Sequence, residues 1–161
     1  RSICTGRKFS CALLVDGSVK CWGDGTYGRL ATGATNDVGD AAGEMASLAA
    51  IDLGTVGGGG SGSCPGAGAL CSTAVALSCG GQHVCAVLND GRVKCWGAGE
   101  YGRLGQGNED NIGDGAGEMG DNLVAIDLGT GKTAVGISAG KTHTCALLND
   151  GTVKCWVPPH P

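Results

Sequence analysis

The sequence has 161 residues, enough for one domain with a real core, and a formal net charge of −4. Asp and Glu outnumber Lys and Arg by 15 to 11 with no basic stripe, which argues against a nucleic-acid-binding face, and no apolar run approaches the roughly 18 residues of a membrane span. The 33 glycines do not recur at every third position, which excludes collagen, and the 10 cysteines point to an oxidising compartment.

Taken in order, Arg1 to Gly6 reads as the middle of a pattern that returns later. With no initial Met and no visible signal peptide, the chain reads as processed or truncated. Ser10 to Trp22 (Ser-Cys-Ala-Leu-Leu-Val-Asp-Gly-Ser-Val-Lys-Cys-Trp) has short apolar runs around Asp16-Gly17 and predicts a β-hairpin. A two-residue loop sets Cys11 opposite Trp22. A three-residue loop, Val15-Asp16-Gly17, sets Cys11 opposite Cys21, with Gly17 taking a positive φ. Directly opposed cysteines lie within disulfide range.

Tyr27-Gly-Arg-Leu follows, then a loop holding Asn36, Asp40 and Glu44, then Ala50-Ile-Asp-Leu-Gly-Thr. A Gly-rich insertion over 56–76 contains Cys64 and Cys71, a pair able to close it on itself. Its Gly60-Ser61-Gly62-Ser63 tract reads as a linker, not as a nucleophile elbow. The hairpin returns from Val84 to Trp96 around Asp90-Gly91, pairing Cys85 with Cys95 in the three-residue register. Tyr101-Gly-Arg-Leu, Gly117-Glu-Met and Ala125-Ile-Asp-Leu-Gly-Thr repeat the earlier blocks. A third hairpin spans Thr144 to Trp156 around Asp150-Gly151, pairing Cys145 with Cys155. The units fall at about 1–76, 77–136 and an incomplete 137–155, followed by a Pro-rich tail, 156–161. Such spacing predicts units that pack on their neighbours. Cys4 and Cys79 stand before their hairpins and can tie one repeat to another; four remaining cysteines allow three pairings.

The chemistry-bearing residues are sparse. There is no CxxC pair, so zinc and thioredoxin-like readings fall away. His83 and His143 occupy the place held by Phe9 in the first repeat, which favours a structural role. Asp110, Asp114 and Glu118 are the one oxygen-rich group that suits Ca²⁺ at all, without the spacing of a known calcium loop; Asp and Asn are also ordinary turn residues. Arg29 and Arg103 read as turn residues with solvated guanidinium groups, or as a binding rim. No acid, base and nucleophile set is evident, so the reading is non-enzymatic, without a cofactor.

A Gly before the hairpin, His-x-Cys-Ala-x-Leu, Asp-Gly-x-Val-Lys-Cys-Trp-Gly and Tyr-Gly-x-Leu-Gly together resemble the regulator of chromosome condensation repeat family. The resemblance covers nearly the whole chain, is most complete from Gly80 to Gly107 and is weakest at 56–76. It implies an all-β fold of tandem antiparallel blades, either part of a β-propeller or an open propeller-like segment; family blades are usually four-stranded. Family members include a nuclear guanine-nucleotide exchange factor, a plant ultraviolet photoreceptor and secreted bacterial β-lactamase inhibitors. Paired cysteines fit the secreted members best. The expectation is an extracellular structural or protein-interaction module of a larger surface, wall or filament-forming protein. The alternatives are a secreted binder or inhibitor using a propeller face, and an exchange scaffold. Partners are further repeats or other chains, with head-to-tail assembly. Pro158 and Pro159 are candidates for hydroxylation and glycosylation.

Overall fold

The computed structural model describes residues 1–57, 64 and 70–156; Pro158 and Pro159 lie outside them. Three antiparallel three-stranded sheets follow one another along the chain. The first holds β1 (Ser2–Thr5), β2 (Phe9–Leu13) and β3 (Val19–Gly23). The second holds β4 (Ala74–Cys79), β5 (His83–Leu88) and β6 (Val93–Gly97). The third holds β7 (Ala134–Ala139), β8 (Thr144–Leu148) and β9 (Val153–Trp156). β4 and β7 each open three residues ahead of the unit boundaries read from the sequence, and both ladders shift register near their start, between Ala74 and Ala76 and between Ala134 and Gly136.

Local chemistry sets the hairpins. Leu14 N donates to Ser18 O, Leu88 N to Arg92 O and Leu148 N to Thr152 O, each closing a three-residue loop. Gly17, Gly91 and Gly151 sit at φ of 85°, 80° and 81°, the left-handed region that a side chain resists. The Asp before each Gly accepts the backbone N–H two residues on, from Ser18, Arg92 and Thr152, as short acidic side chains do in turns. The register that follows is Cys11 opposite Cys21, Cys85 opposite Cys95 and Cys145 opposite Cys155.

Each sheet is a blade packed face to face on the next. Phe9, Cys11, Leu13 and Val19 of the first blade form one apolar cluster with Val84, Ala86, Leu88 and Trp96 of the second. Cys85, Val87, Val93 and Cys95 form another with Ala146 and Leu148 of the third. The second blade is covered on both sides, so its β5 and β6 are buried throughout. Alternating side chains of one strand therefore serve two different seams.

The blades carry three strands where the family pattern suggests four. The outer position is taken by the Ile-Asp-Leu segments, each joined by one bond: Ile51 N to Val19 O and Ile126 N to Val93 O, both 2.8 Å. Inside, Lys94 is buried and its ammonium donates to the carbonyls of Leu53 (3.0 Å) and Gly120 (2.8 Å). Those bonds satisfy a charge that burial would otherwise penalise, and burial holds its pKa below the ordinary lysine range.

Candidate functional site

The cysteines are all paired. Cys11–Cys21, Cys85–Cys95 and Cys145–Cys155 bridge β2–β3, β5–β6 and β8–β9 with Cα separations of 4.1, 4.1 and 4.0 Å. Cys64 joins Cys71. Cys4 of β1 joins Cys79 of β4 across the first seam. The two are not equivalent by register: Cys4 lies opposite Cys11, whereas Cys79 lies opposite Val84.

Asp110, Asp114 and Glu118 do not converge. Glu118 Oε2 accepts the N–H groups of Gly113 (2.7 Å) and Gly115 (2.9 Å). Asp114 faces Asn111 Nδ2 at 3.4 Å, and Asp110 contributes its backbone N–H to Asn108. Among the described residues no three His, Cys, Asp or Glu side chains are placed to hold a metal ion. Glu44 repeats the role of Glu118 on Gly39 N and Ala41 N, and these bonds hold its carboxyl below the usual range. The acidic loop is thus a carboxylate folded onto its own backbone amides.

Arg29 and Arg103 depart from the reading of turn residues with solvated guanidinium groups: both side chains are only 2 % exposed. Each folds back onto acceptors three residues earlier, and Arg29 adds one distant carbonyl. Arg29 donates to the carbonyls of Thr26 (2.7 Å) and Arg7 (2.9 Å), lies 3.7 Å from Asp24 and stacks near the rings of Phe9 and Tyr27. Arg103 donates to Glu100 O (2.7 Å), pairs with the Glu100 carboxylate (3.2 Å) and stacks near Tyr101. Tyr27 and Tyr101 both adopt φ of 63°, an uncommon, strained conformation for a bulky residue.

The backbone of the same arginines pins the seams. Trp96 Nε1 donates to Arg29 O at 3.2 Å, and Trp156 Nε1 donates to Arg103 O at 2.8 Å. His83, fully buried, places Nε2 2.8 Å from Thr144 Oγ1, which itself donates to Arg103 O at 3.1 Å. His143, its counterpart on the third blade, is exposed.

Two surfaces remain open. On the third blade Leu147 is 44 % and Val153 60 % exposed, whereas their counterparts Val87 and Val93 are 1 % and 0 %. On the first blade Ser10, Ala12, Leu14 and Trp22 are half-buried, whereas Val84, Ala86, Leu88 and Trp96 are buried. The third blade thus presents the face that its neighbours fill, and the first presents the face that does the filling. Separately, a cavity of about 430 Å³ lies at the rim of the second seam, bounded by Arg7, Gly81, Tyr101, Arg103 and Lys141.

The chain matches the family described as regulator of chromosome condensation (RCC1) repeat at residues 1–29, 74–103 and 134–156. It is 28 % identical over 186 residues to the E3 ubiquitin-protein ligase HERC2 of Homo sapiens, across 96 % of this chain and 4 % of the relative. It is 27 % identical over 155 residues to the ultraviolet-B receptor UVR8 of Arabidopsis thaliana, across 96 % of this chain and 28 % of the receptor. In structure it is similar to Prp20p of Saccharomyces cerevisiae, with a TM-score of 0.62 and 18 % identity over 97 % of this chain and 32 % of that one. The chain therefore spans less than a third of each of these proteins.

Proposed function

Because the chain belongs to the RCC1 repeat family, we propose that it is a non-enzymatic extracellular module for structure or protein interaction. It works as part of a larger surface, wall or filament-forming assembly. The observation that carries this reading is the open face of the third blade, with Leu147 and Val153 exposed where Val87 and Val93 are covered. Exposed apolar sheet surface of this kind marks an interaction site. Its occupant is a further repeat of the same design, because that is what fills the equivalent face twice within the chain. For this chain alone, the occupant is the first blade of a second copy, whose Ser10, Ala12, Leu14 and Trp22 present the matching surface. A head-to-tail contact of this type builds rings or filaments.

The extracellular part rests on the ten cysteines, all bonded, since reducing compartments keep thiols free. Sedimentation of the chain across a concentration series tests the assembly. We expect concentration-dependent association, lost in Leu147→Lys/Val153→Lys; a monomer at every concentration that also captures no partner overturns the reading. Thiol labelling of protein taken from its native source tests the compartment, and free Cys11 and Cys21 there would remove it.

A further inference from the structure

The two repeated arginines differ in one nitrogen. Arg29 spends its Nη1 on the carbonyl of Arg7 at 2.9 Å. In Arg103, Nε and Nη2 are held by Glu100, and Nη1 meets no protein acceptor among the described residues. The reason lies at Gly81, which stands where Arg7 stands in the first repeat. The Gly81 carbonyl is turned toward the first blade, where it accepts the Arg7 N–H at 2.9 Å. The guanidinium of Arg103 is 2 % exposed, yet it forms part of the wall of the 430 Å³ cavity. The guanidinium thus turns an N–H without a protein acceptor toward an open space, where a ligand oxygen can reach it.

The walls favour such an oxygen. The side chains of Arg7 and Lys141 are exposed, line the cavity and enter no ion pair among the described residues. Positive charge gathers here although the chain as a whole is acidic. Tyr101 offers a half-exposed ring beside it.

We propose that this cavity recognises a carboxylate on an acidic segment of a partner polypeptide. The carboxylate accepts from Arg103 Nη1, Arg7 and Lys141 flank it, and the neighbouring chain of the segment packs on Tyr101. Charge-assisted bonds of this kind are the strong ones. A peptide suits the cavity better than a free phosphate does. Its volume falls in the range of sites for ligands much larger than one oxyanion, and a doubly charged anion would press against the Glu100 carboxylate in the wall. The proposal rests on the protein-interaction reading above and names a partner chemistry for a surface separate from the open sheet face.

Calorimetric titration of the full 161-residue chain with a hexaglutamate peptide tests it, with hexaglutamine and inorganic phosphate as comparison probes. Hexaglutamate should bind, with affinity falling as salt rises, and hexaglutamine should not. Arg7→Ala/Lys141→Ala, two exposed positions, should weaken binding at least about tenfold with an unchanged melting temperature, as expected for two lost charge-assisted contacts. Lys20→Ala/Lys154→Ala, which removes equal charge elsewhere, should leave binding intact. Glu100→Gln, which removes the competing anion from the wall, should strengthen it. Equal binding of the two peptides, parent-like binding by Arg7→Ala/Lys141→Ala, or preference for phosphate would each overturn the assignment. Leu147→Lys/Val153→Lys separates the readings: it should abolish association between copies and leave hexaglutamate binding unchanged.

Discussion

His83 and Thr144 join the second and third blades through a directed hydrogen bond, with Nε2 2.8 Å from Oγ1. The direction follows from the next link. Thr144 has one hydroxyl proton, and it goes to the Arg103 carbonyl, which can only accept. The hydroxyl therefore accepts from Nε2–H, His83 is the Nε2-protonated tautomer, and its buried Nδ1 has no hydrogen-bond partner among the described residues. The first seam uses Phe9 and Val84 at the same two places. At these two places the first seam is apolar and the second polar, and it is the first that Cys4–Cys79 bridges.

The second seam should be acid-sensitive through His83. Burial, with smaller contributions from Arg103 and His143, lowers the His83 pKa from 6.5 to about 4. Above pH 6.5 the ring is neutral in both folded and unfolded chains and contributes no pH dependence. Between 6.5 and 4 the unfolded chain takes up the proton first, so stability falls by roughly 3 kcal/mol and then levels off. His83→Phe/Thr144→Val, which copies the first seam, should flatten the profile. Thermal melts across this pH range check it.

The second seam should accept the missing bridge. Ser78 holds the place of Cys4 and Ala139 the place of Cys79 by strand register, and Ala139 N already donates to Ser78 Oγ at 2.9 Å. Ser78→Cys/Ala139→Cys should form a disulfide under oxidising conditions and stabilise the chain by about 2–4 kcal/mol. Non-reducing peptide mapping and denaturant titration give the answer; two free thiols at full oxidation would refute it.

The hairpin bridges should open in a fixed order. Cys85 and Cys95 are fully buried between blades, whereas Cys155 lies exposed on the open face. Under mild reductant with an alkylating agent, Cys145 and Cys155 should be labelled well before Cys85 and Cys95, because exchange needs access of a thiolate to sulfur. Mass spectrometry of timed samples resolves the order.

Glu118 should matter as a loop staple. Glu118→Ala removes the acceptor for Gly113 and Gly115 and should cost roughly 1.5–3 kcal/mol, the range for hydrogen bonds to a charged group. Calcium should leave the melting temperature of the parent chain unchanged, since this carboxylate is already held by backbone amides. A calcium-induced rise in that temperature would contradict the staple.

The hairpins were legible in the sequence because their determinants are local: an Asp-Gly turn, alternating apolar positions and opposed cysteines, repeated three times. The Cys4–Cys79 bridge, which the structure forms, was legible only as one of three pairings, because Cys4 and Cys79 differ by one register step and meet only once two blades are stacked. Arg29 and Arg103 were misread for a related reason. A turn arginine is ordinarily solvated, and what covers these two is the stacked blades; for Arg29 it includes the carbonyl of Arg7, 22 residues away. The signal was present in the verbatim return of Tyr-Gly-Arg-Leu, where a merely solvated side chain would have been free to vary. The remaining strand of each blade, β1, β4 or β7, carries a weaker pattern than the hairpins, and the early start of β4 and β7 goes with register shifts that only a formed sheet reveals.

Joining β1 to β4 also has a mechanical consequence. The Cys4–Cys79 bond spans 75 positions of sequence, about 250 Å of extended chain. Tension applied at the two ends passes through that bond and leaves the entire first repeat off the load path. Only the segment beyond Cys79 can pay out, and there the shortcuts at Cys85–Cys95 and Cys145–Cys155 each withhold a hairpin. Under pull the protein is a short tether with a protected reserve, and a reductant is what releases the rest of its length.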